Sequence, residues 1–295
     1  MQRKSFIRNT ALCAIAFSTP GFIRFNGERY EGDCETTSDI LGPFYRPKSP
    51  VRSNLVSKDM PGQLIELRGV VRHDDCKTPY KKAKIELWHC SSTGIYDNSS
   101  DEYLYRGTVY CDDKGQYSFK TILPPPYDAG GFMRPAHFHM MITAEGYQSL
   151  VTQLYFTGDE NIAKDQWASS EKAKKRILAV QSLGDGTKKV LFNVNMAATL
   201  AVEPASINKL TGVYIDEKDQ NKKIEFFKES NMLWIKNEVY GMDLEYIGNN
   251  KFQPRGMPGV GLSYVFEILT NGTVKLTYAY RKEGEINYAT AIKQY

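Results

Sequence analysis

Between Gln63 and Phe156 the chain reads as short apolar segments rich in β-branched and aromatic residues, separated by turns. Leu64 to Val71, Ala83 to His89, Gly115 to Thr121, His137 to Thr143 and Ser149 to Phe156 each have the length and composition of a strand. Asp112-Asp113-Lys114-Gly115 stands between two such runs as a hairpin-turn signal. The pattern predicts an all-β fold, an antiparallel β-sandwich, over this part of the chain. One stretch departs from it. From Ser169 to Ser182 charge alternates with Ile177, Leu178 and Val180 at helical spacing, which predicts one amphipathic helix. Val190 to Val194 then returns to strand character.

The pattern resets at Glu203-Pro204, which marks a domain boundary. Beyond it, Lys223 to Phe227, Met232 to Lys236, Tyr264 to Leu269 and Val274 to Tyr280 read as strands, with turns at Asn249-Asn250, Pro258-Gly259 and Asn271-Gly272. The tail is therefore expected to be a second all-β unit, a meander or a small lipocalin-like module. Leu210-Thr211-Gly212-Val213-Tyr214 is similar to the start of lipocalin-like modules appended to bacterial exported enzymes; a plain packing or dimerisation domain fits equally. The tail holds no histidine or cysteine, which argues against metal chemistry there. The expected division is residues 1–26 as an export segment, 27–203 as a catalytic β-sandwich domain and 205–295 as a C-terminal all-β domain of unknown role.

Charge narrows the partners. The formal net charge is +4, and Arg3, Lys4, Arg8 and Arg24 account for it. The remainder is balanced, so nothing points to nucleic acid or to an anionic membrane surface. Those basic residues flank a short apolar run, Thr10 to Phe17, too short to span a bilayer. The segment reads as an export signal, and Arg3-Lys4-Ser5-Phe6-Ile7 is similar to a weakened twin-arginine signal, with an ordinary Sec signal or a disordered terminus as the alternatives. The expected location is periplasmic or extracellular, with no membrane span in the mature chain. Cys34, Cys76, Cys90 and Cys111 would remain after removal of Cys13, permitting up to two disulfides in any of three pairings. Their spacings lack the close Cys-x-x-Cys pair of a zinc site.

The chain has only four histidines, and two stand in Arg134-Pro135-Ala136-His137-Phe138-His139. Two apart on a strand, they point to one face about 6 to 7 Å from each other and can converge on one ion. Neutral imidazole is the commonest metal ligand. Carboxylates or cysteines would be the usual partners, but the neighbouring segments offer tyrosine instead. With nineteen tyrosines in the chain, the residues alone do not select among them.

A longer set of motifs does. Thr36 to Tyr45, then Ile85-Glu86-Leu87-Trp88-His89-Cys90, Gly94-Ile95-Tyr96, Arg106-Gly107, Asp112 to Thr121, Leu123 to Tyr127, Arg134 to His139 and Gln153 to Asp159 follow in order. Together they resemble the intradiol ring-cleavage dioxygenases, the protocatechuate 3,4-dioxygenase and catechol 1,2-dioxygenase group, over about residues 34 to 195. The resemblance implies a non-haem ferric ion held by Tyr96, Tyr127, His137 and His139. Two anionic oxygens and two nitrogens favour Fe(3+), in contrast to the two-histidine, one-carboxylate ferrous oxygenases. The implied substrates are a small aromatic diol and O2, with cleavage between the two hydroxylated carbons and a muconate-type diacid as product. Tyr127 is implied as the ligand that dissociates and accepts a substrate proton. Arg134 matches an arginine that stabilises developing negative charge. Gln153 matches a glutamine near metal and substrate, and Gly42 to Tyr45 match the pocket mouth. His73 and His89 fall outside the ligand positions.

Two features set the chain apart from the family pattern. Pro124-Pro125-Pro126-Tyr127 replaces the usual glycine before the second tyrosine, stiffening the backbone. Only six residues separate Tyr127 from Arg134. The ring substituents of the substrate and the oligomeric state therefore stay open. A non-catalytic metal-containing scaffold, with its function in the C-terminal unit, is the alternative reading.

Overall fold

The computed structural model describes residues 23–25, 30–32, 34–197, 204–238, 240–257 and 261–295. Strands β1 (Ile23–Phe25) and β2 (Tyr30–Gly32) make a small antiparallel ribbon. The rest of the expected export segment lies outside the described residues. Among those described, no helix is long and apolar enough to cross a membrane.

The first unit begins with β3 (Leu64–Arg72), β4 (Lys84–Trp88), β5 (Arg106–Tyr110) and β6 (Gln116–Ile122). The short pair β7 (Tyr127–Asp128) and β8 (Met133–Arg134) leads into β9 (His137–Thr143) and β10 (Leu150–Phe156). Four short strands close it: β11 (Ile177–Leu178), β12 (Gln181–Ser182), β13 (Lys188–Leu191) and β14 (Val194–Asn195). One sheet runs β11-β10-β9-β4-β5; the other runs β12-β13-β3-β14, with β6 also paired to β3. Ile65, Leu67, Phe119 and Val190 of the second sheet share one buried cluster with Ile85, Leu87, Phe138, Met140 and Leu154 of the first. Alternation does this: each strand puts every second side chain into the shared core.

Three expectations change. The amphipathic helix over Ser169 to Ser182 is absent: Glu171–Arg176 forms a six-residue 3-10 turn, and Ile177–Leu178 then pairs in parallel with Tyr155–Phe156. Tertiary contacts override the helical spacing, because Arg176 is buried and donates to Asp39 and to the Gln153 carbonyl. The Asp112–Gly115 turn forms, with Gly115 N–H donating to the Asp112 carbonyl, but it is a corner rather than a hairpin. Its flanking strands β5 and β6 belong to different sheets. The first unit is also not purely antiparallel, since β11 pairs in parallel with β10, and β13 and β14 each pair in parallel with β3.

After the helix α1 (Pro204–Leu210), which starts on the proline that reads as a boundary, the chain forms a closed eight-stranded barrel. Its strands are β15 (Gly212–Asp216), β16 (Lys223–Glu229), β17 (Met232–Ile235), β18 (Met242–Tyr246), β19 (Lys251–Pro254), β20 (Ser263–Ile268), β21 (Val274–Lys282) and β22 (Glu285–Lys293). The Asn249-Asn250 and Asn271-Gly272 turns connect paired strands, as their composition predicts; Pro258-Gly259 lies outside the described residues. Tyr214, Phe226, Phe252, Phe266 and Leu276 pack inside the barrel. Closure removes the sheet edges that an open β unit would expose.

Candidate metal centre

The register of β4, β9 and β10 builds the site. Residues paired across neighbouring strands lie side by side on one face of the sheet. Trp88 pairs with His139, His139 with Gln153, and His137 with Tyr155. His137 and His139 therefore stand in one row with Trp88, Gln153 and Tyr155, while Phe138 between them enters the core. The two imidazoles approach more closely than strand spacing alone gives: their Nε2 atoms are 3.1 Å apart. The Tyr96 hydroxyl, from the loop after β4, is also 3.1 Å from His139 Nε2. Tyr127, on β7, sets its ring centroid 5.5 Å from that of Tyr96 and 5.6 Å from that of His137. All four side chains are buried.

Burial sets the protonation. Desolvation, with Arg134 adding to it, lowers His137 to about 3 and holds His139 well below the ordinary histidine value. Both rings are neutral at physiological pH. His137 Nδ1 lies 2.6 Å from the Pro135 carbonyl, which fixes its N–H on Nδ1 and leaves a lone pair on Nε2. His139 Nδ1 has no hydrogen-bond partner among the described residues. Packing holds that ring instead. Trp88 stacks on it with centroids 5.1 Å apart and planes within 7°. Gly42, at φ +76°, meets its edge so closely that a Cβ there would lie 2.9 Å from His139 Cε1.

Desolvation also pushes the Tyr96 hydroxyl well above its usual range and raises that of Tyr127, where the Arg134 charge pulls the other way. Two neutral Nε2 atoms 3.1 Å apart, one of them also 3.1 Å from the Tyr96 hydroxyl, crowd three possible donor atoms together in buried surroundings. A cation drawing on both lone pairs and on deprotonated phenols resolves the crowding. Among the described residues no group of three or more His, Cys, Asp or Glu could hold a metal ion. The donor set therefore fits a metal only with tyrosines as the remaining ligands.

Arg134 pairs with Tyr127 across β7 and β8. Its Nε is 2.5 Å from Asp165 Oδ2, its guanidinium donates to Gln153 Oε1 at 2.8 Å, and it lies 4.6 Å from the ring centre of Trp167. Gln153 Oε1 also accepts from the Tyr155 hydroxyl, and its Nε2 donates to the Ile40 carbonyl. Both ends of that amide are taken, so Gln153 holds Arg134 in place. Phe44 stacks on Tyr96 at 4.2 Å. His89 is a core residue, between Thr121 Oγ1 and the Cys90 carbonyl, and His73 meets the Tyr147 hydroxyl at 2.9 Å, away from the site. Cys34 and Cys76 are disulfide-bonded, and Cys90 and Cys111 are free and buried.

Sequence reasoning misses Trp88, Tyr155, Asp39 and Asp165. The first two were within reach, since strand alternation and the His137-His139 register place them in the same row. Asp165 carries no signal, because it reaches Arg134 from a loop.

Known proteins give the site its context. A family model described as Dioxygenase matches residues 40–197, more than half of the chain. A catechol 1,2-dioxygenase of Candida albicans is 39% identical over 142 residues, covering 41% of this chain and 46% of that protein. A chlorocatechol 1,2-dioxygenase of Rhodococcus opacus is 36% identical over 154 residues, covering 44% and 60%. The chain thus spans about half the length of these curated relatives. Among solved structures, the dioxygenase domain of a dioxygenase carbohydrate-binding protein fusion from Streptomyces sp. SirexAA-E superposes with a TM-score of 0.50 at 26% identity, covering 56% of this chain and 99% of that one. With the family model matched from Ile40 through both histidines to Ala197, the chain belongs to the intradiol ring-cleavage dioxygenase family.

Proposed function

We propose that the protein is a non-haem iron-dependent intradiol dioxygenase that cleaves a catechol-type aromatic diol between its two hydroxylated carbons. Both atoms of O2 enter the product, a muconate-type diacid. Tyr96, Tyr127, His137 and His139 are the residues that would hold Fe(3+). The observation that carries this reading is that His139 Nε2 lies 3.1 Å from both His137 Nε2 and the Tyr96 hydroxyl, with all of these side chains buried. The catechol and chlorocatechol dioxygenases among its relatives support the substrate class.

When bound, the ferric ion supplies Lewis acidity and a redox partner for the diol. The remaining roles belong to the side chains. His137 and His139 are neutral and offer lone pairs without first losing a proton. Tyr127 stands beside Arg134, whose charge favours its phenolate, so Tyr127 Oη is the group suited to accept a proton from the diol. Arg134 is a fixed buried cation that stabilises negative charge developing on the substrate. Phe44 and Trp88 keep water from the ligand rings.

The two sheets correspond in this reading to the β-sandwich of the family, and the barrel to a lipocalin-like module with a filled interior, residues 27–203 and 205–295 being the two domains. Export to an oxidising compartment is part of the proposal, supported by the Cys34–Cys76 disulfide. The test is direct. Purified iron-loaded protein should be red-brown, should shift its visible band on addition of catechol, and should take up O2 with a muconate product. A colourless iron-replete protein, or a yellow semialdehyde product, refutes the reading.

A further inference from the structure

The strands of a closed barrel turn alternate side chains inward and outward. Leu233 and Leu244 pair inside the barrel, so Trp234 and its partner Asp243 face outward, together with Met232 and Phe227. An outward tryptophan on an isolated barrel is exposed. Trp234 is 0% exposed and Met232 1%. Asp243 and Arg255 form a buried ion pair on the same face, 2.5 Å apart. This face is built to be covered, and what covers it is the segment from Asp39 to Tyr45.

The barrel holds that segment at both ends. Tyr45 stacks on Trp234 with centroids 5.5 Å apart, and Tyr240 meets it edge-on at 5.9 Å. At the other end Gly256, at φ +69°, packs against the backbone of Asp39 and Ile40; a Cβ there would lie 2.7 Å from the Ile40 nitrogen. Between these points the segment touches the metal centre repeatedly. The Ile40 carbonyl accepts from Gln153, Gly42 meets the His139 ring, and Phe44 lies on Tyr96. Tyr45 also meets Trp88 edge-on at 5.1 Å, and Trp88 is the stacking partner of His139. His139 has no hydrogen bond on Nδ1 among the described residues, so on that side of the ring packing contacts set its orientation, while Nε2 faces His137 and the Tyr96 hydroxyl.

We propose that the C-terminal barrel is a clamp on residues 39–45, and that through this segment Trp234 acts as a positioning residue for the His139 and Tyr96 rings. The clamp itself stands on packing; its consequence for iron rests on the metal-centre reading.

Hydrogen exchange of the iron-free full-length chain tests the clamp without the metal. The reporter is the Asp39 amide, which donates to the Val151 carbonyl at 2.9 Å. In Trp234→Ala its exchange should quicken by about 10-fold or more, while core strands such as β9 stay protected. Trp234→Phe, which keeps a ring on Tyr45, should restore protection. Tyr240→Ala removes a ring from the same contact without opening the barrel wall, and it decides alone should Trp234→Ala fail to fold. Unchanged Asp39 exchange in a folded Trp234→Ala, or in Tyr240→Ala when only that variant folds, overturns the clamp.

Iron-loaded protein supplies the second readout. Trp234→Ala should shift the tyrosinate-to-iron absorption band and weaken iron binding by roughly 10-fold, with Trp234→Phe close to the parent. A parent protein with no such band overturns the iron reading while the exchange result still stands. A parent with the band and a folded Trp234→Ala with the same band and affinity overturns the link from barrel to ligands.

Discussion

Trp88 lies flat against His139, its register partner on the neighbouring strand, with the two ring planes within 7°. The indole is buried and its Nε1 has no hydrogen-bond partner among the described residues, so the residue serves as an aromatic surface. Phenylalanine preserves that surface and alanine removes it. Trp88→Phe should retain iron, whereas Trp88→Ala should weaken iron binding by about 10- to 100-fold. Its cavity should also cost about 3 to 5 kcal/mol of stability. Competition titration with a chelator and urea unfolding read the two effects separately. Parental iron affinity in a folded Trp88→Ala would remove the role.

The four donors differ in how they can be replaced. His137→Ala opens a gap in a buried row and deletes a lone pair, and Tyr96→Phe keeps the ring while deleting the oxygen 3.1 Å from His139. Both should lose most bound iron and the visible band, measured by metal analysis on folded protein. Tyr96→Phe is the sharper test, because the stack with Phe44 survives and the fold should be undisturbed. Full iron occupancy in that variant would exclude Tyr96 as a ligand.

The histidine pair was legible because strand alternation is a local rule: His-x-His on a strand puts two imidazoles on one face whatever the rest of the chain does. The tyrosines were legible only through the family resemblance, since Tyr96 and Tyr127 come from loops and a short strand whose positions no periodicity fixes. The helix over Ser169 to Ser182 failed for the opposite reason. Its spacing was helical, but Arg176 gained a buried carboxylate at Asp39 and the following residues gained a parallel strand partner. The barrel's strands were visible one by one. Its outward Trp234 could not be told from an inward core residue until the register was known.

Arg134 and Asp165 form a buried ion pair, so removing the arginine does two things at once. Arg134→Ala leaves an uncompensated carboxylate and should cost about 3 to 5 kcal/mol of stability. It should also slow turnover, because the fixed cation beside Tyr127 is lost. The double variant Arg134→Ala with Asp165→Asn separates the two: stability should recover in part while kcat does not. Recovery of kcat together with stability would make Arg134 a structural residue only.

His89 makes acid sensitivity testable away from the metal centre. Burial is the main cause that lowers it to about 4, with Arg106 adding repulsion; the carbonyl of Cys90 opposes them by holding a ring N–H. The unfolded chain binds a proton on this residue below about pH 6.5, whereas the folded chain refuses it down to about 4. Protons bound by the unfolded state alone favour unfolding, so His89 contributes fully above pH 6.5 and its contribution is lost as pH falls through that window, roughly 3 kcal/mol in all. Urea midpoints of the iron-free protein should therefore drop between pH 6.5 and 4. In His89→Gln, which keeps an amide acceptor toward Thr121 and a donor toward Cys90, the drop should be shallower. His137 and His139 are present in both proteins, and His89 is only the last of the causes acting on each, so most of their contribution cancels in the difference. Equal slopes would mean that His89 is already charged in the fold, donating from both ring nitrogens to the Cys90 carbonyl and Thr121 Oγ1, and would overturn the neutral assignment.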